Sequence, residues 1–286
     1  NIGESSLSVE QCNAPSIPLP MDYNKILGFQ GRWANEFQLQ PVDRFMGTYL
    51  RENRSGRTSH DSFPGMIIHT EQTSEGSGAA YGLHLGWSGN HRIRIEEQFV
   101  GRAYAQLGEL FFPGELSLDP NQSYCSPVLY GASTNNGLSA LSKCFHRYIR
   151  FHLTDARMDG KAKPVHFNTW EAMYFDLSME RLQALADSAA KVGAERFVLD
   201  DGWFKNRRSD RAGLGDWTVD KTVFPDGLGP LIDYVHAQDM EFGLWIEPEM
   251  VNPDSDLYRT YPDWVLSTPP APLILSRNQL VLDLTR

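Results

Sequence analysis

Cysteine is scarce: Cys12, Cys125 and Cys144 are the only three in 286 residues. They are far apart, odd in number and in no CxxC spacing, which argues against a disulfide framework and against a zinc site. A reducing compartment follows as the mild inference, and a cytoplasmic location is the expectation. Long apolar runs are also missing, so no membrane span is predicted, and the first residues lack the basic and apolar regions of a signal peptide. Positive charge is short. A formal net charge of −10, with no stripe of lysine and arginine, excludes a nucleic-acid backbone as the main partner. No GxGxxG follows any predicted strand, and Walker A, GxSxG, HExxH and EF-hand patterns are absent, so neither a cofactor nor a metal is expected. Internal repeats and low-complexity tracts are absent too.

What is present is an ordinary globular composition, 41% hydrophobic and 22% charged, long enough for two domains. Aromatics reach 12% with seven tryptophans, more than a plain core needs, and sugar rings pack their apolar faces on such side chains. The residues up to about Asp22 show no periodicity and read as a connecting lead-in. From Ile26 to about Ser133 the chain is strand-like, with Gly65 to His69, Ala80 to Trp87 and His91 to Ile95 as the clearest runs, which predicts an antiparallel β-sandwich. The polar cluster from Arg54 to Asp61 reads as a solvated hairpin tip. Leu138, Leu141, Phe145, Tyr148 and Ile149 fall at helical spacing and predict a linker helix as far as Leu153. Residues 1–155 therefore form one expected domain and 156–286 a second.

In the second domain, strand and helix alternate. Val165 to Asn168 is a first strand, and Leu182, Leu185, Ala186, Ala189 and Ala190 mark a helix capped by Ser178 and ended by Gly193. Phe197-Val198-Leu199 is the central strand, running into Asp200-Asp201-Gly202. A second helix carries Leu228, Leu231, Ile232 and Val235, and a third strand is read from Glu241 to Glu249. This rhythm is that of a (β/α) barrel, whose chemistry collects at the C-terminal strand ends. Those ends carry Trp170 and Glu171, Asp200 and Asp201, and Trp245, Glu247 and Glu249. Carboxylates accepting hydroxyl protons beside tryptophan faces suit a carbohydrate. The bland alternative makes Asp201-Gly202 a turn, Asp200 a helix cap and the tryptophans core filling. Several carboxylate pairs could serve glycoside hydrolysis, and the residue types alone do not choose among them.

The ordered blocks Asn168-Thr169-Trp170-Glu171-Ala172, Val198 to Phe204, Leu214-Gly215-Asp216-Trp217, Pro225 to Leu228, Phe242 to Val251, Tyr261 to Trp264 and Arg277 to Asp283 resemble those of the glycoside hydrolase family 36 α-galactosidases. Gly28 to Trp33 and Gly56 to Asp61 resemble blocks of that family's N-terminal β-domain, so the resemblance runs along nearly the whole chain. It implies an α/β architecture, a β-supersandwich followed by a (β/α)8 barrel, here incomplete. It also implies retaining hydrolysis of terminal α-linked galactose from oligosaccharides of the raffinose type, by an aspartate nucleophile and an aspartate acid/base. By the same resemblance Trp170, Asp200, Asp201, Trp245 and Arg277 line the galactose subsite, and Glu247 and Glu249 support the strand end. The family's nucleophile sits in a Lys-Trp-Asp block that does not occur before Arg286, and its acid/base lies further on. The expectation is thus a fragment, inactive alone, of a protein whose relatives often form tetramers. An α-N-acetylgalactosaminidase, a galactosyl-transferring relative and a noncatalytic carbohydrate-binding protein are the competing readings.

Overall fold

Residues 1–13, 15–58, 61–155, 160 and 162–286 are described by the structure, a computed structural model. The chain divides into two compact units, residues 1–159 and 160–286. The first unit contains β1 (Leu7–Val9), β2 (Gln11–Asn13), β3 (Ile17–Leu19), β4 (Lys25–Arg32), β5 (Asn35–Asp43), β6 (Gly47–Asn53), β7 (Gly65–His69), β8 (Ala80–Leu85), β9 (His91–Glu97), β10 (Ala103–Leu110), β11 (Leu116–Leu118) and β12 (Leu129–Thr134). One sheet runs β2-β10-β9-β6 with β3 also on β10, and the other runs β12-β8-β7-β4-β5. Their pairs are antiparallel, and the two inner faces share one core. Alternation drives this: His91, Ile93 and Ile95 of β9 are buried while Arg92 and Arg94 are only partly covered.

The lead-in expected up to Asp22 is instead three short strands. β1 pairs with β11, and β2 and β3 pair with β10. Each is three residues long, too short for an alternating pattern to emerge, and the partner strand's free backbone groups decide the pairing. The linker helix α1 (Gly137–Tyr148) buries Leu141 and continues into a π-helical turn, Ile149–Leu153. Of the cluster from Arg54 to Asp61, Ser59 and His60 lie outside the described residues, while Arg54, Ser55, Gly56 and Arg57 are exposed.

The second unit follows the alternating rhythm: β13 (His166–Asn168), α2 (Trp170–Met173), α3 (Met179–Lys191), β14 (Arg196–Leu199), α4 (Gly229–His236), β15 (Glu241–Leu244), β16 (Met250–Val251), α5 (Asp256–Thr260) and β17 (Leu280–Val281). The Ser178 hydroxyl accepts the Arg181 N–H at 3.3 Å, and Gly193, with φ of +84°, lets the chain leave α3. α3 packs Leu182, Ala186 and Ala189 against Phe197 and Leu199 of β14, and a leucine so buried contributes about 1.5–3 kcal/mol. β13, β14 and β15 form a parallel sheet in that order. The third strand ends at Leu244, five residues before the expected end at Glu249. Past Leu244 the chain turns out of the sheet, and the Trp245 N–H still reaches β14, at the Leu199 carbonyl. Among the described residues no helix is long and apolar enough to cross a membrane.

Candidate active site

Register places the site. Asn168 pairs with Val198 and Val198 with Gly243, so the three parallel strands end level. Trp170, Asp200 with Asp201, and Trp245 consequently leave the sheet side by side. Arg277 arrives from elsewhere. β16 and β17 form an antiparallel pair, and Ser276 and Gln279 exchange backbone hydrogen bonds across a two-residue turn made by Arg277 and Asn278. Both have positive φ, +51° and +63°, as a type I′ turn requires. Trp170, Asp200, Asp201, Trp245 and Arg277 line one open pocket of about 370 Å³ together with Ile246, Glu247 and Glu249. Glu171 does not line it: its carboxylate accepts the Tyr174 hydroxyl on the exposed side of α2.

The two aspartates are buried, 8% and 5% exposed, so every lone pair matters. Asp200 accepts the Asn168 side-chain amide at Oδ2 (2.6 Å) and the Asp201 N–H at Oδ1 (2.7 Å). Each oxygen therefore keeps one lone pair for the pocket. Asp201 is more committed: Oδ1 takes the Gly202 N–H at 2.8 Å and Arg207 Nε at 2.9 Å, and Oδ2 takes Arg207 Nη2 at 2.8 Å. Nε also reaches Oδ2, at 3.1 Å, so protein donors take up both oxygens of Asp201. The tryptophans are held by ring edges. Trp170 meets Tyr174 and Phe175 edge-on, and Trp245 meets Trp217, while the Trp245 carbonyl accepts Trp203 Nε1 at 3.0 Å. Burial and the nearby Glu249 push the Glu247 carboxyl above the usual carboxylate range, against the pull of Arg277 and Arg207.

The residues that the sequence reasoning passed over are Asn168, Arg207 and Asn252. Asn168 ends the first strand and opens the block Asn168 to Ala172, and its amide is the group that meets Asp200. Asn252 is fully buried, and its side-chain amide meets four partners: Arg207 Nη1 (2.8 Å), the Leu214 N–H (3.0 Å), and the carbonyls of Asp210 (3.1 Å) and Asn278 (2.8 Å). Arg207 stands in the charged run Lys205-Asn206-Arg207-Arg208, in the long stretch between β14 and α4. A pairing signal could have come only from its spacing to Asp201, which has no regular period. Among the described residues no group of three or more His, Cys, Asp or Glu side chains is arranged to hold a metal ion.

Parallel strands alternating with helices, with acids and tryptophans at their C-terminal ends and a β-sandwich ahead of them, define a barrel-type glycosidase architecture. Residues 1–119 match the glycosyl hydrolase family 36 N-terminal domain and residues 123–286 match melibiase. The chain belongs to the melibiase family of glycosyl hydrolases. It is 44% identical to an alpha-galactosidase of Escherichia coli over 271 residues, 95% of this chain and 38% of that protein. The crystal structure of the GH36 alpha-galactosidase AgaA from Geobacillus stearothermophilus superposes with a TM-score of 0.93 at 35% identity, over 100% of this chain and 40% of that one. A variant of AgaA solved with raffinose gives 0.92 at 34% identity, again over 100% and 40%. The chain thus spans about 40% of the length of the relatives it matches.

Proposed function

We propose that this chain supplies the galactose-holding wall of an α-galactosidase that acts on α-galactoside oligosaccharides of the raffinose and stachyose type. The observation that carries the reading is the convergence of Trp170, Asp200, Asp201, Trp245 and Arg277, from four separate strand ends and turns, on one pocket. Its size suits a single hexose. Asp200 offers two acceptor sites and so takes up two hydroxyl protons in charge-assisted hydrogen bonds, with Asp201, gripped by Arg207, as the fixed charge beside it. Trp170 and Trp245 offer ring faces for the sugar's C–H side, and Arg277 donates to its oxygens. Structures of AgaA variants with raffinose and with stachyose support the substrate class.

Both aspartates hold and neither cleaves in this reading. A retaining glycosidase needs one carboxylate free to attack the anomeric carbon and a second about 5–5.5 Å away to protonate the leaving oxygen. Asp200 and Asp201 are adjacent in the chain, buried, and tied by donors on both oxygens, which suits fixed acceptors. Cleavage then belongs to a carboxylate pair other than this one. A homo-oligomeric assembly and a cytoplasmic location, the latter in keeping with three unpaired thiols among the described residues, complete the proposal.

The test is turnover of p-nitrophenyl α-galactoside and of the matching α-N-acetylgalactosaminide by the protein expressed from its complete reading frame. Preference for the galactoside is the expected result. Preference for the N-acetyl substrate would reassign the pocket, and binding without turnover of either would make this a lectin-like protein.

A further inference from the structure

Arg207 is 2% exposed, and a guanidinium so deeply buried needs partners for its donors. Its Nε and Nη2 grip Asp201 side-on at 2.8–3.1 Å. Nη1 donates to the Ala212 carbonyl at 3.1 Å and to Asn252 Oδ1 at 2.8 Å. The Phe175 and Phe204 rings lie 5.4 and 5.8 Å from its central carbon. The loop closes tightly on it: a Cβ at Gly213, whose φ is +83°, would come within 2.6 Å of the Lys205 carbonyl oxygen.

A buried ion pair by itself is weak evidence for anything beyond packing. What distinguishes this one is where its two ends lead. One end fixes the carboxylate of Asp201. The other reaches Asn252, whose amide donates to the Asn278 carbonyl at 2.8 Å, and Asn278 is the second central residue of the turn that presents Arg277. Asn278 Nδ2 also donates to Asp210 at 3.1 Å, which ties that turn back to the same loop. Arginine is not a residue that a positive φ favours, so the turn depends on outside contacts to hold it.

We propose that Arg207 is the positioning residue of the sugar pocket, setting its anionic wall through Asp201 and its cationic wall through Asn252 and the Arg277-Asn278 turn. The planar fork is what the task requires. A lysine would keep the charge but could not hold both oxygens of Asp201 and Asn252 at once. The proposal rests on the galactose-holding reading, so its test includes an arm that needs no sugar.

The experiment compares wild type with Arg207→Lys in the protein expressed from its complete reading frame. It reads KM and kcat for p-nitrophenyl α-galactoside, Ki for galactose, the melting temperature, and backbone hydrogen exchange over residues 276–282. In the variant, KM and Ki should rise together by about tenfold with kcat changed by less than about threefold, as expected for lost ground-state hydrogen bonds. Exchange over 276–282 should accelerate. A fall in melting temperature with KM, Ki and that exchange all unchanged would reduce Arg207 to a structural residue and overturn the proposal. If wild type turns over no α-galactoside, the exchange arm still decides: acceleration supports the positioning role while the galactosidase reading fails, and no change defeats both. Should Arg207→Lys not fold, Asn252→Asp takes its place. It keeps the acceptors for Arg207 and Leu214 but loses the donors to Asp210 and Asn278, and an unaltered KM with unaltered exchange at 276–282 would sink the proposal.

Discussion

In the proposed sugar pocket, Asp200 is the carboxylate with an acceptor site left on each oxygen. Its oxygens face two fixed donors, the Asn168 amide and the Asp201 N–H, and the site was built for an acceptor. Asp200→Asn places an NH2 group against one of those donors. In the complete protein it should raise KM for an α-galactoside roughly tenfold to a hundredfold, since hydrogen bonds to charged groups contribute about 1.5–3 kcal/mol. Steady-state kinetics at saturating and limiting substrate check this, and an unchanged KM would remove Asp200 from the pocket's working groups. Glu247 makes a prediction about pH. Burial first and Glu249 second raise its carboxyl above the usual 4.5. Between that value and the raised one, the unfolded chain has released a proton that the folded protein keeps, so unfolding gains as pH rises. The stability Glu247 contributes is present in acid and lost on the way to neutral pH. Glu247→Gln, which cannot ionise, should therefore flatten this loss, and urea unfolding of wild type and variant at pH 4.5 and 7.5 should show the variant gaining relative to wild type at the higher pH.

Elements in this chain differ in how far their own sequence declares them. α3 is legible end to end: a serine cap, a stripe of leucine and alanine, a glycine to finish. β14 is legible too, a short apolar run that stops at two acids. The three short strands at the N-terminus are not, because three residues carry no period and the pairing partner lies about a hundred positions away. β11 supplies that partner for β1 and β10 for β2 and β3, and for β2 the critical position is Gly108. A Cβ at Gly108 would sit 1.9 Å from the Cys12 carbonyl oxygen and 2.6 Å from Asn13 Cα, both backbone atoms of β2. Gly108→Ala should therefore push β2 off β10, at a cost of about 1–3 kcal/mol for overpacking. Limited proteolysis should then cut the variant within residues 7–20 at protease concentrations that spare the wild type. Equal resistance of the two would mean that β2 contributes nothing to the unit's stability.

At the scale of the whole molecule, the chain pairs a β-sandwich unit with the opening strands of a parallel, barrel-type sheet, and spans about 40% of the length of its relatives. The pocket's described lining is four acids, two tryptophans, one isoleucine and one arginine. On the proposed function, turnover is expected of the protein expressed from its complete reading frame. The 286 residues expressed alone should give no turnover of p-nitrophenyl α-galactoside above buffer, whereas the complete protein should turn it over. Turnover by the shorter chain would place the cleaving carboxylates among the acids described here, and would require Asp200, Asp201, Glu247 and Glu249 to be reassigned.

The sequence by itself determined the order β13, α3, β14, α4, β15 in the second unit, because a buried face imposes a period that composition cannot hide. It also pointed to Trp170, Asp200, Asp201 and Trp245 as strand-end residues, since polar groups directly after apolar runs must face something other than the core. Arg277 entered only through its family resemblance. That these five share one pocket was implied by the resemblance but decided by tertiary structure, because level strand register and the pairing of β16 with the distant β17 are not local properties. Tertiary structure alone decided the fate of Arg207. An arginine in a charged loop is ordinarily solvated, and only closure of that loop brings Asp201 and Asn252 close enough to keep a guanidinium out of water.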